Sequence, residues 1–209
     1  MSEKTDFSKT LDGYRAQRGI VRLVDVPEMQ YLMIDGHGDP NTSPEFVDAV
    51  GALYPVAYTL KFASKRELGR DYVVPPLEGL WRADDMDSFT VARDKSRWDW
   101  TLLLMVPDWI DDARYSVAVE QVRGKKDRPA RLDDVRLETL AEGRCVQTLH
   151  VGSFDDEAPV LAQLHHEFIP GNGLRMTGTH HEIYLSDRRR VAPEKMRTIL
   201  RQPVAPVEE

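Results

Sequence analysis

One cysteine, Cys145, stands among 209 residues. No internal disulfide can form, and with no Cys/His cluster at metal-ligand spacing, neither a structural zinc nor another metal is expected. Also missing is any apolar run near the roughly 18 residues that span a bilayer. Met1–Thr10 is polar and charged, without the apolar core of a secretory signal, so a cytoplasmic protein with no membrane partner is expected. Basic residues are in deficit, 28 against 35 acids for a net charge of −7. Such a surface does not attract a phosphate backbone, so no nucleic acid is expected as partner. Residues 1–19 are too short for a helix-turn-helix. The sequence has no Walker-type phosphate loop, no Gly-x-Ser-x-Gly elbow and no context that would make Cys145 a nucleophile, and no cofactor is expected.

What is present reads as one soluble globular unit, 41% hydrophobic and 30% charged, long enough to bury a core. Residues 1–19 form a polar arm expected to lie on the surface, helical around Leu11–Gln17. Two strands follow, Ile20–Val26 and Met29–Ile34, and Gly36 and Gly38 mark a turn. Thr42-Ser43-Pro44-Glu45 brings a hydroxyl cap, a first-turn proline and an early acid, so a helix is expected from there to about Leu60. Phe46, Val50, Leu53, Ala57 and Leu60 give it one apolar stripe, with Tyr54 and Tyr58 at its edge. Tyr72–Trp81 is extended because Pro75 and Pro76 forbid a helix interior. Phe89–Ala92 and Trp98–Val106 are further strands, and Asp108–Lys126 a helix. A charged link at 125–131 then divides a first half, 20–126, from a second, 132–206.

The second half repeats the order of the first. Cys145–Gly152 with its following helix, Glu157–Phe168, matches Tyr31–Gly38 with its helix at an offset of 114 residues, placing Gly38 on Gly152. Two strands close each half, the last being Met196–Val204. Leu77-Glu78-Gly79 falls opposite His181-Glu182-Ile183. The predicted fold is α+β: tandem strand-helix-strand-strand units in antiparallel sheets, related by a pseudo-twofold axis, with a ligand cleft between them.

His180–Asp187 lies at that cleft. As a strand it puts Ile183 and Leu185 on one face and His180, Glu182 and Tyr184 on the other, a polar row of about 13 Å at roughly 3.3 Å per residue. That row reads either as a pocket floor or as a face meeting water. Glu78 is either the pseudo-symmetric partner of Glu182 or a turn anchor. Trp98 and Trp100 share a strand face and serve either a pocket or the core. Arg188-Arg189-Arg190 reads as a solvated turn.

Several stretches together resemble one family: Gly38-Asp39-Pro40-Asn41, Ala52-Leu53-Tyr54, Pro76–Trp81, Cys145–Gly152 with Phe154–Pro159, and His180–Asp187 with Ala192–Lys195. In this order, over about Leu23–Val204, they are similar to the GyrI-like small-molecule-binding proteins. The resemblance implies the same tandem fold with a central cleft. It also implies kinship with the effector-binding domains of AraC-type and MerR-type regulators, and with stand-alone proteins that hydrolyse cyclopropane-bearing DNA alkylators through an aromatic cage and a glutamate. On that resemblance the glutamate is Glu182, and Trp81, Trp98, Trp100 and Tyr184 are cage candidates; in the catalytic mechanism expected from these groups, Glu182 acts on water and Tyr184 donates to a ligand carbonyl. The ligand-binding set is Trp81, Trp98, Trp100, Tyr54, Tyr58, Glu78 and His180, and the ligand is a small hydrophobic aromatic molecule. Arg82 stands where a second cage aromatic is expected. The function implied is detoxification by a cofactor-free hydrolase; the alternative is a non-catalytic module that sequesters drugs or binds a protein such as gyrase.

Overall fold

The structure is a computed structural model that describes residues 4–82 and 97–208. The strand expected at Phe89–Ala92 lies outside the described residues. After a helical turn α1 (Phe7–Thr10), the chain forms β1 (Arg22–Val26), β2 (Met29–His37), α2 (Pro44–Ala63), β3 (Leu77–Arg82), β4 (Asp99–Val106) and α3 (Asp112–Arg123). The second half gives β5 (Arg136–Leu140), β6 (Gly143–Val151), α4 (Ala158–Ala162), β7 (Leu174–Met176), β8 (His180–Tyr184) and β9 (Arg197–Pro206). The helix begun by α4 continues through a π-helical stretch, Gln163–Phe168, to Ile169–Gly171. Among the described residues no helix is long and apolar enough to cross a membrane.

The nine strands of the described residues join one antiparallel sheet in the order β1-β6-β9-β8-β3-β4-β2-β5, with β7 added on β9. Outward from the central β8–β3 pair, β9, β6 and β1 on one side answer β4, β2 and β5 on the other. This is the arrangement a tandem repeat about a pseudo-twofold axis produces. The leading strand of each half, however, pairs with the other half, β1 with β6 and β5 with β2.

α2 starts where Pro44 fits the first turn, but Ser43 makes no side-chain capping bond; its N–H donates to Asp39 O at 2.8 Å. The helix runs past Leu60 to Ala63, and there Lys61 is held by a buried ion pair to Asp71, 2.5 Å away. Phe46, Leu53, Ala57 and Leu60 pack on Trp81, Trp100, Leu102 and Leu104. The opposite face of the sheet carries a second cluster, Tyr31, Met33, Leu103, Met105, Ile183 and Ile199. Tyr14 of the N-terminal arm is buried in that cluster, so the arm, whose Lys9, Asp12, Arg15 and Arg18 are exposed on the surface, is also anchored in the core.

Candidate functional site

β3 and β8 lie side by side at mid-sheet, with Trp81 opposite His180 and Gly79 opposite Glu182. Cross-strand neighbours share a face, so Trp81, His180, Glu182 and Tyr184 all project to the side covered by α2. There, between the halves, lies a cavity of about 400 Å³, within the size range of small-molecule sites. The first half contributes Phe46, Tyr54, Trp81 and Trp98, and the second Phe154, Leu161, His165, His180, Glu182 and Tyr184. Trp98 meets Trp81 edge-on at 5.5 Å, and Phe154 meets Tyr184 edge-on at 5.6 Å.

A hydrogen-bond chain runs along this wall. Trp81 Nε1–H donates to Tyr184 Oη at 2.9 Å, and Tyr184 donates to Glu182 Oε2 at 2.8 Å. Burial, and then the Glu182 charge, raise the Tyr184 hydroxyl well above the ordinary phenol range, so its proton stays on and stays committed to Glu182. The hydroxyl has one proton. In this geometry Tyr184 holds the carboxylate, whereas the sequence had assigned it to a ligand carbonyl.

The chain needs Gly79 beneath it. A Cβ there would stand 2.9 Å from Trp81 Nε1 and 3.0 Å from Tyr184 Oη. Neither atom can retreat without breaking the bond between them. Gly79→Ala is therefore expected to lower stability by about 1–3 kcal/mol, the usual range for overpacking. Urea unfolding measures this, and an unchanged midpoint would contradict the arrangement.

Three residues expected at the ligand lie elsewhere. Trp100 is 0% exposed; it faces Gly36 across the β2–β4 pair and its ring covers that glycine so closely that a Cβ would come within 2.0 Å. Trp100 Nε1 donates to Gly38 O at 3.2 Å, so Trp100 is core and Trp98, two residues earlier, is cavity. Tyr58 is 46% exposed on α2, stacked between Tyr54 and Phe62, and does not line the cavity. Glu78 is the third. It pairs with Ile183 while Glu182 pairs with Gly79, so the two glutamates leave opposite faces of the sheet; one residue of register separates the expected symmetry from the observed one.

Glu78 belongs instead to a buried charge cluster. His181 Nε2 lies 2.9 Å from Glu78 Oε2 and His181 Nδ1 2.9 Å from Glu142 Oε1. Arg201 donates to Glu142 Oε2 at 2.7 Å, to Gln147 Oε1 at 3.1 Å and to Gly13 O at 2.5 Å, and Tyr14 donates to Glu78. Burial alone would lower the pKa of His181, but the charge and hydrogen bonds of Glu142 and Glu78 outweigh it and lift the pKa to about 9. Burial likewise works to raise Glu142, yet His181 and Arg201 hold it at about 2.

Arg82 also turns away. It donates to Thr101 Oγ1 at 3.1 Å on the far face, so it replaces no cage aromatic in the cavity. Sequence reasoning missed His165, which carries no motif, and it took Phe46 for core alone. Arg188, read as solvated, is exposed but lines the cavity, its guanidinium 5.9 Å from the Phe46 ring. Arg189 lines it too, and nothing in a run of three arginines marks which of them reach the cavity. Among the described residues no group of three or more His, Cys, Asp or Glu side chains is placed to hold a metal ion.

The model of a GyrI-like small molecule binding domain matches residues 111–205. An uncharacterized conserved protein from Listeria innocua superposes with a TM-score of 0.87 at 41% identity, covering 97% of this chain and 100% of that one. A Listeria innocua protein described as a hydrolase gives 0.84 at 40% identity, with the same coverage of each chain. The EcmrR C-terminal domain, at 10% identity, gives 0.55 over 90% of this chain and 98% of its own, a likeness of fold alone. No curated protein matches.

Proposed function

This chain belongs to the GyrI-like family of small-molecule-binding proteins, and on that premise we propose that its cavity takes up a flat, lipophilic aromatic electrophile and that Glu182 directs water onto a strained ring of it. The observation that carries this reading is the chain from Trp81 through Tyr184 to Glu182. It fixes one carboxylate oxygen by hydrogen bonding and leaves the other to act on the cavity side of an aromatic wall. The kinship with a Listeria innocua protein described as a hydrolase, 40% identical over nearly the whole chain, supports it.

The chemistry follows from the groups present. Trp81, Trp98 and Phe154 hold the flat ligand by ring contacts and exclude water from its faces. The ligand carries a cyclopropane conjugated to a carbonyl. The water oxygen bonds to a ring carbon, the strained C–C bond breaks, and its electron pair moves through the conjugated system to the carbonyl oxygen. Glu182 takes a proton from the water as the new bond forms and returns it to that oxygen. The product is the ligand plus one water, no longer electrophilic.

The test incubates substoichiometric protein with a cyclopropane-bearing alkylator and follows the water adduct by mass spectrometry. Many turnovers per protein are expected. One equivalent of bound, unchanged ligand would replace the hydrolase with a sequestering protein.

Two variants of Trp81 separate its two contributions. Trp81→Ala removes the stacking surface and is expected to weaken binding by roughly 1.5–3 kcal/mol. Trp81→Phe keeps a ring but loses the N–H to Tyr184, so titration calorimetry should show affinity within about threefold while kcat falls by up to about tenfold, one neutral hydrogen bond's worth. Equal losses in both variants and both parameters would contradict this division.

A further inference from the structure

His180, expected among the ligand-binding residues, stands beside Glu182 on the cavity wall. It is 7% exposed, and its two ring nitrogens are buried and have no hydrogen-bond partner. Buried polar atoms are nearly always satisfied, and exceptions in a native fold point to strain, catalysis or an additional bound group. Its Nε2 lies 3.7 Å from Glu182 Oε1, too long for a hydrogen bond between them and a separation that one water bridges. Glu182 Oε2 is already engaged by Tyr184, so Oε1 is the oxygen that remains.

We propose that His180 and Glu182 together hold the attacking water, His180 Nε2 accepting one of its hydrogens and Glu182 Oε1 the other. This rests on the hydrolytic reading given above. With both hydrogens engaged, the water's lone pairs are directed away from the protein wall and toward the ligand. Glu182 removes its proton as the bond to carbon forms, and the hydrogen on His180 stays with the product hydroxyl. His180 acts as a neutral imidazole in the Nδ1–H tautomer, unchanged over the reaction.

The neighbouring ring fits this assignment. His165 stands edge-on to His180 at 5.6 Å. Burial first, then His180 and His166, press its pKa down to about 3, so it brings no positive charge that would repel a proton arriving at Glu182. The pairing of Trp81 opposite His180 sets the water site next to the stacking surface, where the reacting carbon has to lie.

His180→Phe keeps the flat ring and removes both nitrogens, while His180→Gln returns a hydrogen-bonding group near the position of Nε2. In the full-length protein, His180→Phe is expected to lower kcat on the order of a hundredfold, the cost of losing the nucleophile's position, with ligand affinity by calorimetry within about threefold. His180→Gln is expected to recover at least tenfold of that loss, and His180→Phe added to Glu182→Gln to lower kcat little further, because both act through the same water. Wild-type kcat in His180→Phe would overturn the assignment while leaving the hydrolase intact. Parallel loss of binding and turnover in both His180 variants would overturn it in favour of a purely structural histidine. If the wild type itself binds the alkylator without turnover, the hydrolytic reading fails, and this assignment falls with it.

Discussion

Glu182→Gln is expected to lower turnover roughly a hundredfold to ten-thousandfold, the range for losing a positioned general base, while ligand affinity stays within severalfold. Glutamine keeps the length and shape of the side chain, and its amide oxygen can still accept from Tyr184, so the cavity wall is preserved. What it loses is basicity. An amide cannot take the proton that the water must shed as its oxygen bonds to carbon. Turnover is read by mass spectrometry of the water adduct and affinity by calorimetry. A variant with wild-type kcat would leave Glu182 as a binding group only, and one with wild-type kcat but weaker affinity for cationic ligands would make it their counter-charge.

The second large effect lies on the other side of the same strands. His181 and Arg201 bring two positive charges and Glu78 and Glu142 two negative ones into a space closed to solvent. Arg201→Met takes one cation away and leaves a buried carboxylate uncompensated. Breaking such a pair from one side is expected to cost about 3–5 kcal/mol, measured as the loss of unfolding free energy in urea at neutral pH. A loss below about 1 kcal/mol would mean that water reaches the cluster. The cluster also gives stability a definite pH window. The pKa of His181 is raised from 6.5 to about 9, so its contribution is complete below about 6.5 and fades as pH climbs through 9. That of Glu142 is lowered from 4.5 to about 2, so its contribution is complete above about 4.5 and fades as pH falls through 2. In Arg201→Met the acid limb should move upward, because Glu142 has lost one of its two cations.

The sequence made the order of elements legible, because periodicity and punctuation are local. Pro44 and the stripe from Phe46 to Leu60 announce α2, and the alternation of His180–Tyr184 announces β8 with its faces correctly divided. What depends on pairing was not legible. Whether Glu78 or Gly79 faces Glu182 is a matter of one residue in the β3–β8 register, and no local pattern in Leu77–Trp81 sets it. Trp98 and Trp100 look alike in sequence because both sit on one strand face. They part only because Gly36, on a neighbouring strand 64 positions upstream of Trp100, leaves room for one ring and not the other. Tyr14 was invisible as core because its partner Glu78 was expected in the cleft.

The exchange of leading strands shapes how the molecule comes into being. Among the described residues, β1 finds its strand partner only in β6, and β2 receives its outer neighbour only from β5. On the ribosome, the first half therefore emerges with β1 unpaired and one side of β2 open until residues 136–151 have followed. Neither repeat, although it has a helix and an apolar layer of its own, is a finished object without the other. The two repeats of the motif thus make a single folding unit, whose many long-range pairings make slow assembly the natural outcome. The cleft is the seam of that interlock, so a ligand site and an intact whole chain arise at the same moment.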